Sequence, residues 1–213
     1  MLGFPTASSV TTAYDYDSHG NVTQTTDVNG LKSRSWYDGF GRFIQQASAD
    51  GVISRNTYQT CDSQKPAHCA WQMTTSVEHI AASGKAQPDT VVYFDRLGRE
   101  LRSRSTNLNG DTVLVDSQYD NLGRMIKVSE PYIAGSTVQW SSTSYDVRGR
   151  EETMTRADGH QTSSTYVARS GGGSKVTRIH TLQNGDVNTQ THIRAKWQPW
   201  ISQTSQMQMR GIL

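Results

Sequence analysis

The stretch Trp36-Tyr37-Asp38-Gly39-Phe40-Gly41-Arg42-Phe43 reads as strand, turn, strand. Trp36 and Tyr37 are strand formers. Asp38 to Gly41 make a four-residue turn. Asp at its first corner can accept hydrogen bonds from backbone N–H groups a few residues on, and Gly at its last corner can take φ > 0 without a Cβ clash. Arg42 and Phe43 begin the return strand. The same unit recurs at Tyr16-Asp17-Ser18-His19-Gly20-Asn21 and at Phe94-Asp95-Arg96-Leu97-Gly98-Arg99. It recurs again at Tyr119-Asp120-Asn121-Leu122-Gly123-Arg124 and at Tyr145-Asp146-Val147-Arg148-Gly149-Arg150. An aromatic-Asp-x-x-Gly-(Arg/Asn) unit repeated at this density defines a repeat protein.

A second turn lies inside each repeat, at Asn29-Gly30, Asp50-Gly51, Asn109-Gly110, Ala134-Gly135 and Asp158-Gly159. Asn-Gly and Asp-Gly favour type I′ turns, whose twist matches a hairpin. Strand, motif turn, strand, second turn, repeated, is an antiparallel meander. Tyr58 and Tyr166 stand in register without the Asp-x-x-Gly turn and read as worn copies. Gln183-Asn184-Gly185 reads as another hairpin turn, Gly171 to Ser174 as a flexible connection, and Lys196 to Trp200 as a last worn copy. The chain therefore divides into repeats over 1–59, an interrupting loop with a cysteine pair over 60–89, repeats over 90–170, and degenerate repeats with a tail over 171–213. Within the interruption, Ser76 to Ala82 reads as one helical turn. Alternation in the strands places Ile44, Leu101, Ile126, Val128 and Met154 on one face as the expected core, with the motif aromatics stacked beside them.

Composition agrees with a thin β structure. The 213 residues carry a net charge of +2 and are 34% hydrophobic, with nine Tyr and five Trp. That charge, scattered along the chain, gives no reason to expect nucleic acid or an anionic membrane as partner. No apolar run approaches the length of a transmembrane helix. Met1 to Thr12 lacks the basic and apolar regions of a signal peptide, and the chain reads as a piece of a longer protein.

The repeat resembles the RHS/YD-repeat family. Tyr37 to Arg42, Tyr119 to Arg124 and Tyr145 to Arg150 match its Tyr-Asp-x-x-Gly-Arg signature, while Asn21 replaces Arg and Phe94 replaces Tyr. The resemblance covers about residues 12 to 170. It implies an all-β antiparallel meander of hairpins forming a curved, spiralling sheet, a fragment of a shell. Shells of that family enclose toxic domains in bacterial polymorphic toxins and insecticidal toxin complexes, and teneurins carry a related one. The family's closing segment often has an Asp-Pro self-cleavage motif. No Asp here precedes Pro, so that activity is not carried over.

Other chemistry is thin. Calcium usually takes several oxygen side chains from one loop. Each motif turn has one carboxylate of its own at the first corner, so Asp17, Asp38, Asp95, Asp120 and Asp146 read as turn caps. Arg42, Arg99, Arg124 and Arg150 read as partners of Asp on neighbouring turns rather than as anion or glycan ligands. The histidines are dispersed. His68 beside Cys69, with Cys61, is the nearest approach to a zinc cluster and lacks a fourth ligand. Cys61 and Cys69, an even pair flanking Pro66, suggest a disulfide. Trp36, Trp140, Trp197 and Trp200 read as sheet-packing residues, the alternative being a sugar-stacking platform.

The expectation is a structural module with no catalytic, cofactor or metal site. Its partners would be further repeats or a toxin cargo, with a homo-oligomer as the fate of an isolated open sheet, and it would be secreted or at the cell surface as part of a larger exported protein. The alternative is a carbohydrate- or cell-surface-binding β-repeat module.

Overall fold

The computed structural model describes residues 11–80, 85–170 and 172–194. Every element among them is a strand. The chain divides into two compact units, Met1–Val113 and Leu114–Leu213.

The first unit holds β1 (Ala13–Tyr16), β2 (Val22–Thr26), β3 (Lys32–Tyr37), β4 (Phe43–Ala47), β5 (Val52–Gln59), β6 (Trp71–His79), β7 (Lys85–Phe94) and β8 (Glu100–Thr106). Each strand pairs antiparallel with the next. The second unit begins within β9 (Thr112–Tyr119) and continues through β10 (Met125–Ser129), β11 (Tyr132–Ile133), β12 (Trp140–Tyr145), β13 (Glu151–Thr155), β14 (Gln161–Ala168), β15 (Ser174–Thr181) and β16 (Val187–Arg194). Its order is β9-β10-β12-β13-β14-β15-β16, with β11 folded back to pair with β9. The architecture is thus an all-β antiparallel meander.

Both kinds of turn share one geometry. In the motif hairpin, Asp38 N donates to Arg42 O and Gly41 N to Asp38 O. In the second hairpin, Asp27 N donates to Leu31 O and Gly30 N to Asp27 O. Asn107 with Asp111, and Arg156 with His160, repeat the arrangement. A type I′ turn would need φ > 0 at Asn29, Asp50, Asn109 and Asp158 as well. Among the described residues His68 is the only non-glycine there, while Gly30 sits at +80° and Gly41 at +76°. The expected two-residue turns are therefore three-residue loops, a type I turn closed by a left-handed glycine.

The motif hairpin carries a further irregularity that period-two reading misses. Trp36 faces Gln45 but Tyr37 faces Phe43, so Ile44 has no residue opposite it. The same slip leaves out Thr23, Leu101, Ile126 and Glu152. A β-bulge therefore stands at the third residue after every motif glycine, and side-chain alternation does not run through it unbroken. The expected core is not the observed one. Ile44, Leu101, Ile126 and Val128 are only half-buried, and Met154 is exposed. Among the described residues the buried apolar ones are Val91, Tyr93 and Leu114.

Residues 60–89, expected as an interrupting loop, contain β6 and the start of β7. β6 pairs with β5 from Gln59↔Gln72 to Val52↔His79. Ser76 to His79, expected in a helical turn, is strand. The reason is local: Met73-Thr74-Thr75-Ser76-Val77 is rich in β-branched residues, which fit a pleated sheet. Pro88 offers no N–H to the ladder, and the register between β6 and β7 slips there, between Thr75↔Thr90 and Val77↔Gln87. Residues 60–70 connect β5 to β6 irregularly. Ala81, Ala82, Gly171 and the worn copy at Lys196–Trp200 lie outside the described residues.

Candidate functional site

Each motif Asp is saturated by its own turn. Asp38 Oδ1 accepts Phe40 N and Arg42 N, both at 2.9 Å. Its Oδ2 accepts Arg42 Nε at 2.7 Å and pairs with Arg42 Nη2 at 2.6 Å. Asp95–Arg99, Asp120–Arg124 and Asp146–Arg150 repeat this within 0.1 Å. In the first copy Asn21 does the work of Arg: its Nδ2 donates to Asp17 Oδ2 at 2.9 Å. The Arg pairing is thus within one turn, rather than with a neighbouring turn.

All five carboxyls are held below the ordinary Asp value. For Asp38, Asp95 and Asp120 burial acts the other way and is outweighed by hydrogen bonds from the following Arg side chain and backbone. For Asp146 the Arg150 backbone and side chain dominate, and for Asp17 the Asn21 side chain. These are charge-stabilising bonds, the physics of a cap.

The motif tyrosine links one repeat to the one before. Tyr37 Oη donates to Val22 O at 3.1 Å, Tyr145 Oη to Met125 O at 2.7 Å, and Tyr166 Oη to Glu151 O at 2.9 Å. Every acceptor is the second residue after a motif glycine, beside the bulge. The β2–β3 ladder covers only Gln24↔Arg34 to Thr26↔Lys32, so the Val22 carbonyl lies past its end. The hydroxyl supplies the missing donor. The preceding repeat's Arg stacks over the ring: Arg124 lies 4.6 Å from the Tyr145 centroid and Arg150 4.0 Å from that of Tyr166. Tyr166, read as a worn copy, keeps this role. Phe94 has no hydroxyl and instead stacks on Trp71 at 4.1 Å and 12°.

Among the described residues the one deeply buried aromatic, Tyr93, lies beside the connection from β5 to β6. A disulfide joins Cys61 and Cys69, Cα to Cα 6.4 Å, so neither sulfur is free to ligate zinc. Asp62 N donates to Oε1 of the buried Gln72 at 2.8 Å. Its carboxylate accepts Tyr93 Oη at 3.0 Å and Arg104 Nη2 at 3.1 Å. Tyr93 is 0% exposed, and burial first, then Asp62, push its hydroxyl pKa up. Beside this cluster a cavity of about 380 Å³ is lined by Gln64, Thr74, Asp89, Val91, Arg104 and three further hydroxyl residues. Asp89 Oδ2 meets Lys85 Nζ at 2.6 Å, while Oδ1 is buried without a partner. Nothing in the sequence pattern marked Asp62, Tyr93 or Arg104. Only the Cys pair pointed to this place.

Among the described residues no group of three His, Cys, Asp or Glu could hold a metal ion. Among the described residues no helix is long and apolar enough to cross a membrane. Trp36 in β3 and Trp140 in β12 belong to different units; Trp197 and Trp200 lie outside the described residues.

No protein-family model matches the chain, and no curated protein does. Among solved structures it is similar to the crystal structure of TcdB2-TccC3-TEV, at 13% identity and a TM-score of 0.35, over 84% of this chain and 14% of that one. It is also similar to TcdB2-TccC3 without hypervariable C-terminal region, at 13% identity and a TM-score of 0.36, over 91% of this chain and 13% of that one. The chain thus spans about one-seventh of the length of the chains it matches.

Proposed function

We propose that this chain is a non-catalytic structural repeat module, part of the wall of an RHS-type shell that encloses or delivers a toxin. The observation that carries this reading is how the signature residues are used. Asp caps the turn, Arg pairs with that Asp and covers the next ring, and Tyr donates to the backbone of the preceding repeat. The motif's charged and polar groups are directed to backbone and to one another, which suits a wall and leaves little for substrate. In this reading the partners are further repeats or a cargo of the full-length protein, and the setting is secreted or cell-surface.

Electron microscopy of the product of the whole reading frame tests it. A hollow particle whose interior protects a further domain from added protease is the expected result. An extended particle with no protected segment would overturn the shell reading.

A further inference from the structure

We propose that the Cys61–Cys69 disulfide is a redox latch that holds residues 62–69 closed over the Tyr93 face and the adjoining cavity. This inference stands apart from the shell reading, because it rests on the loop alone.

The loop is tethered unevenly. At its start Asp62 holds Gln72, Tyr93 and Arg104, and just after its end Ala70 N donates to Phe94 O at 2.7 Å. Between these points the backbone bonds are long: Lys65 N to Asp62 O and Cys69 N to Pro66 O are both 3.4 Å. His68 sits at φ 65°, where a side chain is strained. His68 is exposed and immediately precedes Cys69, so burial does not hold it there. The covalent bridge is the restraint that keeps the left-handed residue in place. Gln64 of the same loop lines the cavity together with Thr74, Asp89 and Arg104.

Opening needs a reductant, and a dithiol is the class. Its two sulfurs become a disulfide, the Cys61–Cys69 bond breaks, and the dithiol's two hydrogens end on the two Sγ atoms. His68 then relaxes to negative φ, the loop lifts, and the cavity loses its Gln64 wall. Such a latch is closed in an oxidising compartment and opens in a reducing one.

Amide hydrogen exchange on the full chain, with and without dithiothreitol, tests this. The informative amides are Asp62 and Ala70, whose acceptors are Gln72 Oε1 and Phe94 O. Reduction should speed their exchange by about ten-fold or more, while Gln46 and Ser54 in the β4–β5 ladder stay unchanged. Unchanged exchange at Asp62 and Ala70 would overturn the latch, because the Asp62 contacts alone would then hold the loop. Faster exchange throughout the unit would overturn it too, making the bridge a general staple. His68→Gly removes the strain and should shrink the increase; an equal increase would overturn the role of His68.

Discussion

Tyr58 Oη donates to the backbone carbonyl of Phe43 at 2.9 Å, while the Arg42 guanidinium lies 4.3 Å from the centre of the same ring. The β4–β5 ladder reaches only from Gln45↔Arg55 to Ala47↔Ile53. The side chain therefore continues a pairing that the backbones have abandoned. Tyr58→Phe keeps the ring and removes the hydroxyl. It should cost about 1 kcal/mol, the net worth of one hydrogen bond, read from the urea midpoint at unchanged slope. A change below a few tenths at both Tyr58→Phe and Tyr166→Phe would show that the hydroxyl bond is incidental.

Arg150 combines a paired contact with Asp146 and a face contact with Tyr166. Lys keeps the charge but loses the planar fork and the stacking surface. Arg150→Lys should therefore destabilise the second unit by about 0.5–1 kcal/mol. Combined with Tyr166→Ala its effect should shrink, because the two side chains share a contact. Strict additivity in a double-mutant cycle would count against the stack.

Gly41 and Gly98 both sit at φ +76°, and a Cβ added at either meets nothing within 4 Å. Any loss on substitution is then backbone strain and not collision. Gly41→Val should cost about 1–2 kcal/mol, and Gly41→Asn distinctly less, because Asn tolerates the left-handed region. Equal losses for the two would point to a steric cause and against the turn geometry.

The five motif carboxyls, with Asp62 and Asp158, titrate below the ordinary Asp value. A depressed folded pKa means that the unfolded chain binds the proton more readily. The stability these groups contribute is complete above about pH 4 and is lost as pH falls through their lowered values. Melting temperature should hold from pH 7 down to about 5, then drop steeply below 4. Asp95→Asn, at the most buried motif Asp, should lower stability at pH 7 and flatten that acid limb. An acid limb as steep as in the parent would argue against the cap.

Much of the fold was legible in the sequence because its turns are local. An Asp, two free positions and a Gly determine a hairpin within five residues, and a row of hairpins makes a meander. What escaped depended on partners distant in sequence. The bulge at Ile44 exists only relative to Trp36 and Tyr37 across the ladder. The buried Tyr93 bonds to Asp62, thirty-one residues earlier, and nothing in the sequence around Tyr93 announces that partner. Asn29-Gly30 misled because the dipeptide suits a type I′ turn, whereas Asp27 imposes a longer loop by capping Asn29 N and Leu31 N at 2.8 Å each. The Tyr58 and Tyr166 copies looked worn because the turn residues that followed were gone, while their contacts face backwards to the previous repeat.

One cap can stand in two places. Where the first corner is Asp or Asn, as at Asp27 and Asn107, its side chain holds the closing N–H. Where the first corner is Ser48, Arg156 or Leu182, the backbone bonds are the same. The closing N–H there goes to the third corner, at Asp50, Asp158 and Asn184. Mutation can thus shift the acidic or amide residue by two positions and leave the hairpin standing. Lineages of such a protein are free to erase the signature while keeping the architecture, so the number of recognisable motifs in any member is a floor under the number of its hairpins.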